Sequence, residues 1–379
     1  MPVKRRRQIM DKRNVGTYHC FTRCVRRAFL AGVDWVTGKD FSYRKDWIRE
    51  RLEALASVFA VDVLDHAVME NHLHVILRNR PDVAKRWRRR EVVRRWLRLS
   101  RKSLRLKGEP SDELVNEVLK ERRRVGVLRR RLSDISWFML MLKEPVSLQA
   151  NEEDKVSGCF WAERFGSVKL ESDESLLLCS LYVDLNPIRS GRARTPEEST
   201  YTGACDRLRD LMAEQREQGR AEERRRVQEE LARERENERT LRRVLGEGSD
   251  GLEAGGELEM DVVERLGKPR SGWMTPMRVE GDGYRGAERR RRASNKGYLP
   301  MDEVKYLQLL DAMGREQVDG KRGAIPATLP PILERLKFDP ALWSVEATLA
   351  YRRFARIAVQ CAQQKAERQS RRPRRKRKR

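Results

Sequence analysis

His72 and His74 stand two residues apart in Asn71-His72-Leu73-His74-Val75-Ile76-Leu77, and Tyr182 and Asn186 stand four apart in Tyr182-Val183-Asp184-Leu185-Asn186-Pro187. Successive side chains of a strand point to opposite faces, so the two imidazoles share one face and can hold a single ion. Leu73, Val75 and Leu77 then fall on the other face. Residues four apart are neighbours on one side of a helix, so Tyr182 can present a nucleophile beside the same ion while Asn186 supplies an oxygen ligand. That set suits metal-assisted attack on a phosphodiester. Each part also has a plainer alternative: histidines satisfied by hydrogen bonds, a core tyrosine, and an asparagine that caps a helix before proline.

The elements that must position these groups follow from periodicity. Gly16 to Arg26 reads as a first strand, in which His19 packs or bonds within the sheet, and a helix is expected after it. Arg44 to Ala60 places Trp47, Ile48, Leu52, Leu55 and Phe59 on one stripe, an amphipathic helix. Val61 to Met69 and His72 to Arg78 form an antiparallel hairpin closed by Glu70-Asn71, with His66 expected to pack within the sheet. A basic helical insertion spans about 81–134. A buried helix from Ile135 is expected to end at Pro145, a loop enters a strand over 158–170, and a helix capped by Ser172 or Asp173 runs to Asn186, where Pro187 is expected to stop it.

Composition sets the partner class. The 379 residues carry a net charge of +25 and only 39% hydrophobic residues, so extended charged segments lie outside the core and the partner is a polyanion. Nucleic acid fits better than a membrane surface, since no amphipathic helix pairs a wide apolar face with a basic one. No apolar run approaches the ~20 residues of a transmembrane helix, and no apolar stretch follows the basic start, so the expected location is cytoplasmic, associated with the nucleoid. Six cysteines at 20, 24, 159, 179, 205 and 361 are scattered and read as reduced thiols. The expected domains are a catalytic region 1–205, a charged helical arm 206–245, a linker 246–298, a small helical module 299–365 and a basic tail 366–379.

Val68-Met69-Glu70-Asn71-His72-Leu73-His74-Val75 and the stretch from Tyr182 to Gly191 resemble the strand motif and catalytic helix of single-tyrosine transposases of the HUH superfamily, most closely the insertion-sequence-200-like and REP-associated branch. Phe160-Trp161-Ala162-Glu163-Arg164-Phe165 resembles the tryptophan-arginine segment before that helix. The resemblance covers roughly residues 15 to 205. It implies an α+β fold with an antiparallel sheet of ferredoxin-like layout, helices packed on one face and the metal site on the other, plus the helical insertion and a helical C-terminal extension. It implies Tyr182 as nucleophile, His72, His74 and Asn186 as ligands of Mg²⁺ or Mn²⁺, cleavage and rejoining of single-stranded or hairpin DNA through a 5′-phosphotyrosine, and a homodimer in which tyrosine helices can be exchanged. Trp161 and Arg164, with Arg88, Arg89 and Arg90 of the insertion, are the expected DNA contacts. Trp87 and Trp96 either stack on unpaired bases or anchor the insertion. Glu70 departs from the pattern, standing where the family commonly has proline. A rolling-circle initiator or relaxase is a lesser alternative, and a non-catalytic nucleic-acid-binding protein or regulator is the rival from another class.

Overall fold

The computed structural model describes residues 10–25, 31–34, 38–245, 271–278 and 292–337. The expected basic tail, the end of the expected 299–365 module and most of the expected linker lie outside the described residues.

Four strands, β1 (Gly16–Arg23), β2 (Val61–Val68), β3 (His72–Asn79) and β4 (Gly166–Leu170), form one antiparallel sheet in the order β2-β3-β1-β4. The β2–β3 hairpin closes at Glu70-Asn71, where the Met69 amide donates to the His72 carbonyl at 2.9 Å. Glu70 does not disturb this turn. Its carboxylate pairs with Arg192 at 2.7 Å and ties the turn to the chain that follows the tyrosine helix.

One face of the sheet carries Tyr18, Cys20, Leu73, Val75 and Leu77, all buried in a cluster with Ile48, Leu52 and Leu55 of α1 (Arg44–Val58). Phe138, Met139 and Leu142 of α6 (Ile135–Glu153) join the same cluster. The opposite face is covered as well, because α7 (Asp173–Asp184) crosses it in contact with β2, β3 and β4. A one-sided arrangement of helices was expected, and the structure corrects it. Every residue of β2 is buried, so Leu64, Ala67 and the neighbouring Ile76 require an apolar cover on the second face. Leu177, Leu181 and Val183 of α7 are buried in turn.

Between β3 and α6 come α2 (Pro81–Arg86), α3 (Arg89–Leu97), α4 (Asp112–Lys120) and α5 (Arg122–Leu132), a small bundle whose Val92, Val93, Val115 and Leu128 extend the first cluster. Arg51 of α1 ties this insertion down. Its fully buried guanidinium donates to the carbonyls of Met141, Leu104 and Ser100 at 3.0, 2.8 and 2.7 Å, and burial lowers its pKa to about 10. The Met141 contact also explains why α6 continues to Glu153 instead of ending at Pro145. A proline removes the N–H that would have bonded the carbonyl four residues earlier, and here that carbonyl is Met141. Arg51 supplies the missing donor.

Pro187 is a second proline that does not end helical structure. α7 stops at Asp184, Leu185 keeps a helical backbone, and Pro187 occupies the first turn of α8 (Asn186–Arg189), where no intrahelical donor is needed. The start of α7 is capped by Ser172, whose hydroxyl accepts from the Ser175 amide at 3.2 Å.

After α8 the chain enters α9 (Gly203–Leu245), whose residues from Glu217 to Asn237 are exposed. Two compact units are distinguished: Met1–Asp206 with Ser271–Arg379, and Arg207–Arg270. The described parts of the expected linker belong to the first unit and pack on the sheet. Trp273 is 1% exposed, the Thr275 amide donates to the Val63 carbonyl at 2.9 Å, and Ser294 donates to Asp62 at 2.8 Å. They lead into α10 (Glu303–Arg315) and α11 (Ile332–Arg335). Among the described residues, no helix is long and apolar enough to cross a membrane, and five cysteines stand outside any disulfide.

Replacing Arg51 with leucine is expected to lower the unfolding free energy in urea by roughly 1–3 kcal/mol, because buried carbonyls lose their donor. Adding Pro145→Ala should recover part of that loss, since an alanine at this position returns an N–H to the Met141 carbonyl. Strict additivity of the two substitutions would refute the compensation.

Candidate active site

Strand alternation places His72 and His74 on the face of the sheet that α7 crosses, opposite Leu73, Val75 and Leu77. Their rings lie 4.9 Å apart between centroids, edge to face. The α7 side chain that meets them is Tyr182, whose ring is 5.5 Å from that of His74. Asn186, one turn beyond, sets its side chain beside both His72 and Tyr182, close enough to bear on the charge of each. The nearly helical junction at Leu185 keeps the two residues on one side despite the break between α7 and α8. The four residues that spacing singled out therefore converge in one chain, and no exchange of helices is needed to bring them together.

Two histidine nitrogens have partners behind the cluster. His72 Nδ1 lies 2.6 Å from Asn71 Oδ1, and His74 Nδ1 lies 3.0 Å from His19 Nε2. An amide oxygen can only accept, so His72 donates through Nδ1–H and its Nε2 carries the lone pair. The His19–His74 contact fits either tautomer; the one in which His74 donates from Nδ1 presents its Nε2 as well, the arrangement in which ring-nitrogen partners orient metal ligands. Imidazole nitrogens and an amide oxygen are donor types that divalent ions accept, Mn²⁺ more readily than Mg²⁺ because of the nitrogens, while among the described residues no group of three His, Cys, Asp or Glu side chains is arranged to hold a metal ion.

His19 was not expected here. It shares a face with Phe21 and Arg23, and β1 pairs with β3 so that Phe21 lies opposite His74 and Arg23 opposite His72. Its ring stacks on that of His74 at 5.1 Å and meets Tyr182 edge-on at 6.2 Å. The alternation of Tyr18, Cys20 and Thr22 with His19, Phe21 and Arg23 was visible in the sequence, whereas the register of β1 on β3 was not. His66 stays away from the site, on the other face, 5.3 Å from the ring of Trp273.

Burial dominates the electrostatics. Loss of water lowers the pKa of His72 to about 4, with the charge of Arg23 adding to the shift and the Asn186 side chain opposing it. His74, more deeply buried and beside His19 and His72, falls to about 2. Both rings are neutral near pH 7, as ligands must be. Burial raises the pKa of the Tyr182 phenol above its usual 10, while the Asn186 side chain and the charge of Arg23 pull it down.

The other expected contacts are dispersed. Trp161 donates to the Lys143 carbonyl at 2.9 Å and, with the exposed Arg164, lines a cavity of about 550 Å³ floored by Met139, Leu140 and Phe165. Arg88, Arg89 and Arg90 are exposed on the insertion, where Arg89 donates to the Leu119 carbonyl at 2.6 Å and Arg90 pairs with Asp112 at 3.0 Å. The Trp161 segment, by contrast, pairs with the end of β1, where the Ala162 amide donates to the carbonyl of Arg23, the residue opposite His72, at 2.9 Å. Trp96 anchors the insertion, its ring meeting that of Trp137 on α6 at 5.4 Å, and Arg95 of the insertion itself lies over the Trp87 ring at 4.3 Å.

No family model matches the chain, and no curated protein matches it. Among solved structures it is similar to a REP-associated tyrosine transposase bound to a REP hairpin, with a TM-score of 0.31 and 11% identity, over 53% of this chain and 81% of that one. A likeness this loose carries no weight beside the geometry.

A titration of the imidazole resonances is expected to place the His72 midpoint near pH 4, with His74 lower still. Both folded values lie below the unfolded value near 6.5, so the unfolded chain binds more protons below that pH. The stabilisation from these rings is complete above pH 6.5 and declines as the pH falls toward 4. A His72 midpoint at 6.5 would refute the enclosed site.

Proposed function

We propose that this chain cleaves and rejoins single-stranded or hairpin DNA with Tyr182 as nucleophile, and that His72, His74 and Asn186 hold a divalent ion, Mg²⁺ or Mn²⁺, beside it. The observation that carries this reading is the convergence of Tyr182 and Asn186 on the face that bears both neutral imidazoles. The strand order, with a helix after β1 and another after β3, supports a ferredoxin-like layout for the core. The net charge of +25 supports a polyanionic substrate.

A divalent ion bound at these ligands supplies Lewis-acid polarisation of the scissile phosphate. The chain's own residues do the rest. The Tyr182 oxygen forms a bond to phosphorus as the bond from phosphorus to the 3′ oxygen breaks. The phenol gives up its proton, and the departing oxygen gains one, leaving a 5′-phosphotyrosine and a free 3′-hydroxyl. Asn186, whose side chain lies beside both, orients the phenol and His72 together. His19 and Asn71 fix the ring orientations of His74 and His72. Because the phosphotyrosine retains a diester linkage, a 3′-hydroxyl reverses the step and rejoins the strand without ATP.

Trp161 and Arg164, at the rim of the 550 Å³ cavity, and Arg88 to Arg90 on the insertion are proposed as outlying DNA contacts that add affinity rather than chemistry. One chain contains Tyr182 and both histidines, so the chemistry does not require a homodimer with exchanged helices.

Incubation with labelled single-stranded DNA and Mn²⁺ is expected to give a covalent protein–DNA adduct on denaturing electrophoresis. Tyr182→Phe should abolish the adduct while folding and salt-sensitive binding survive. Asn186→Ala should slow its formation without removing it, and His74→Ala or excess EDTA should prevent it. Binding with no adduct under any divalent ion would favour the non-catalytic reading, and an adduct that persists in Tyr182→Phe would move the nucleophile elsewhere.

A further inference from the structure

Phe21 is an exposed aromatic held in a fixed place. It is 39% exposed, yet its ring lies across Gly166 of the edge strand β4, the residue with which it pairs. A Cβ on Gly166 would overlap the ring, so the ring fills the space that any other residue would occupy. On its other sides the ring meets His19 at 5.4 Å and His74 at 6.3 Å. Val168, opposite His19 on β4 and 51% exposed, and Tyr182, 45% exposed, extend this apolar surface around the candidate nucleophile.

Isolated exposed aromatics are common and need no explanation. Arg23 makes this one different. It stands two residues from Phe21 on the same face, about 6.6 Å along the strand, and opposite His72. Its side chain is exposed, and no carboxylate among the described residues pairs with its guanidinium. Its charge reaches His72, His74 and Tyr182. A flat apolar ring and an exposed guanidinium, one strand repeat apart, match the two ends of a single nucleotide: a base that stacks and a phosphate that takes a forked hydrogen bond.

We infer that Phe21 and Arg23 form a nucleotide-holding pair, in which Phe21, seated on Gly166, stacks an unpaired base of the DNA strand and Arg23 holds the adjoining phosphate beside His72 and His74. The inference rests on reading the site as a single-strand nuclease, and it assigns to β1 the selection of unpaired over duplex DNA. A paired base is already stacked in its helix and cannot lie on the ring. Both residues are positioning residues. They bring the phosphate to Tyr182 and take no part in bond making.

The test uses the full chain carrying Tyr182→Phe, so that binding is read without chemistry, and single-stranded oligodeoxynucleotides with one 5-iodouracil scanned along the strand. Irradiation is expected to cross-link Phe21 at one position of the base, identified by peptide mapping. Phe21→Ala should weaken single-strand binding roughly tenfold and leave duplex binding unchanged, while Phe21→Trp retains both. Gly166→Ala, which displaces the ring without removing it, should act as Phe21→Ala does. Arg23→Gln should reduce the slope of log affinity against log salt by roughly one. Equal losses for single-stranded and duplex DNA, or unchanged single-strand binding in Phe21→Ala, would overturn the inference. The covalent adduct assay on the unsubstituted protein separates the two readings. An adduct without a Phe21 cross-link sinks the nucleotide-holding pair and leaves the nuclease standing, and a cross-link without an adduct does the reverse.

Discussion

The register of β1 on β3 is the constraint on which the candidate site depends. Because a strand alternates its side chains, one pairing puts His19, Phe21 and Arg23 beside His72 and His74, and the same pairing puts Tyr18, Cys20 and Thr22 beside Leu73, Val75 and Leu77. A slip by one residue would exchange the two sets. It would bury Arg23 in the first core and turn Cys20 toward the α7 face. Tyr18, Cys20, Leu73, Val75 and Leu77 are each completely buried, and their apolar surface therefore fixes the geometry of the polar residues on the opposite face.

Alignment of the histidines would be of little use if the tyrosine helix could drift, and buried polar contacts hold that helix from behind. Asp184, two residues after Tyr182, accepts from the Ala204 amide at 2.9 Å and from the Tyr306 hydroxyl at 2.6 Å. Both side chains are fully buried, and burial with the neighbouring carboxylate drives the Tyr306 pKa well above 10. Arg189 donates to the Met313 carbonyl at 2.6 Å, and the Arg322 amide returns a bond to the Arg189 carbonyl at 3.1 Å. Buried groups of this kind are costly when unpartnered and selective about geometry when partnered. On the β2 side, Asp62 is shared by Arg78, Arg80 and Ser294. Stretches far along the chain thus form part of the framework around residues 172–189.

Much of the core was legible because local periodicity determined it. The β2–β3 hairpin with its turn at Glu70-Asn71, the stripe of α1 and the four residues at the site were all readable from spacing of two or four. Several misreadings share a cause: they depended on a partner remote in sequence. Pro145 reads as a helix terminator until Arg51 is found on the Met141 carbonyl. Residues 271–278 read as linker until Trp273 is found in the core beside His66. Trp96 has two readings until Trp137 is seen against it. His19 carried a visible signal in the alternation of β1, but its place at the site required a strand register that no short window contains.

One physical cause acts in opposite directions on the two kinds of group at this site. Removal of water keeps His72 and His74 neutral, which suits ligands, and it also raises the pKa of Tyr182, which opposes attack by the phenol. Desolvation cannot favour both, so charge must separate them. Arg23 does this within the chain, since its positive charge disfavours imidazolium and favours phenolate at once. The Asn186 side chain acts in the same sense on the phenol, and against that sense on His72. Arg23 therefore acts in one electrostatic sense on the candidate ligands and the candidate nucleophile alike, which the basic charge spread over the insertion is not placed to do at these rings.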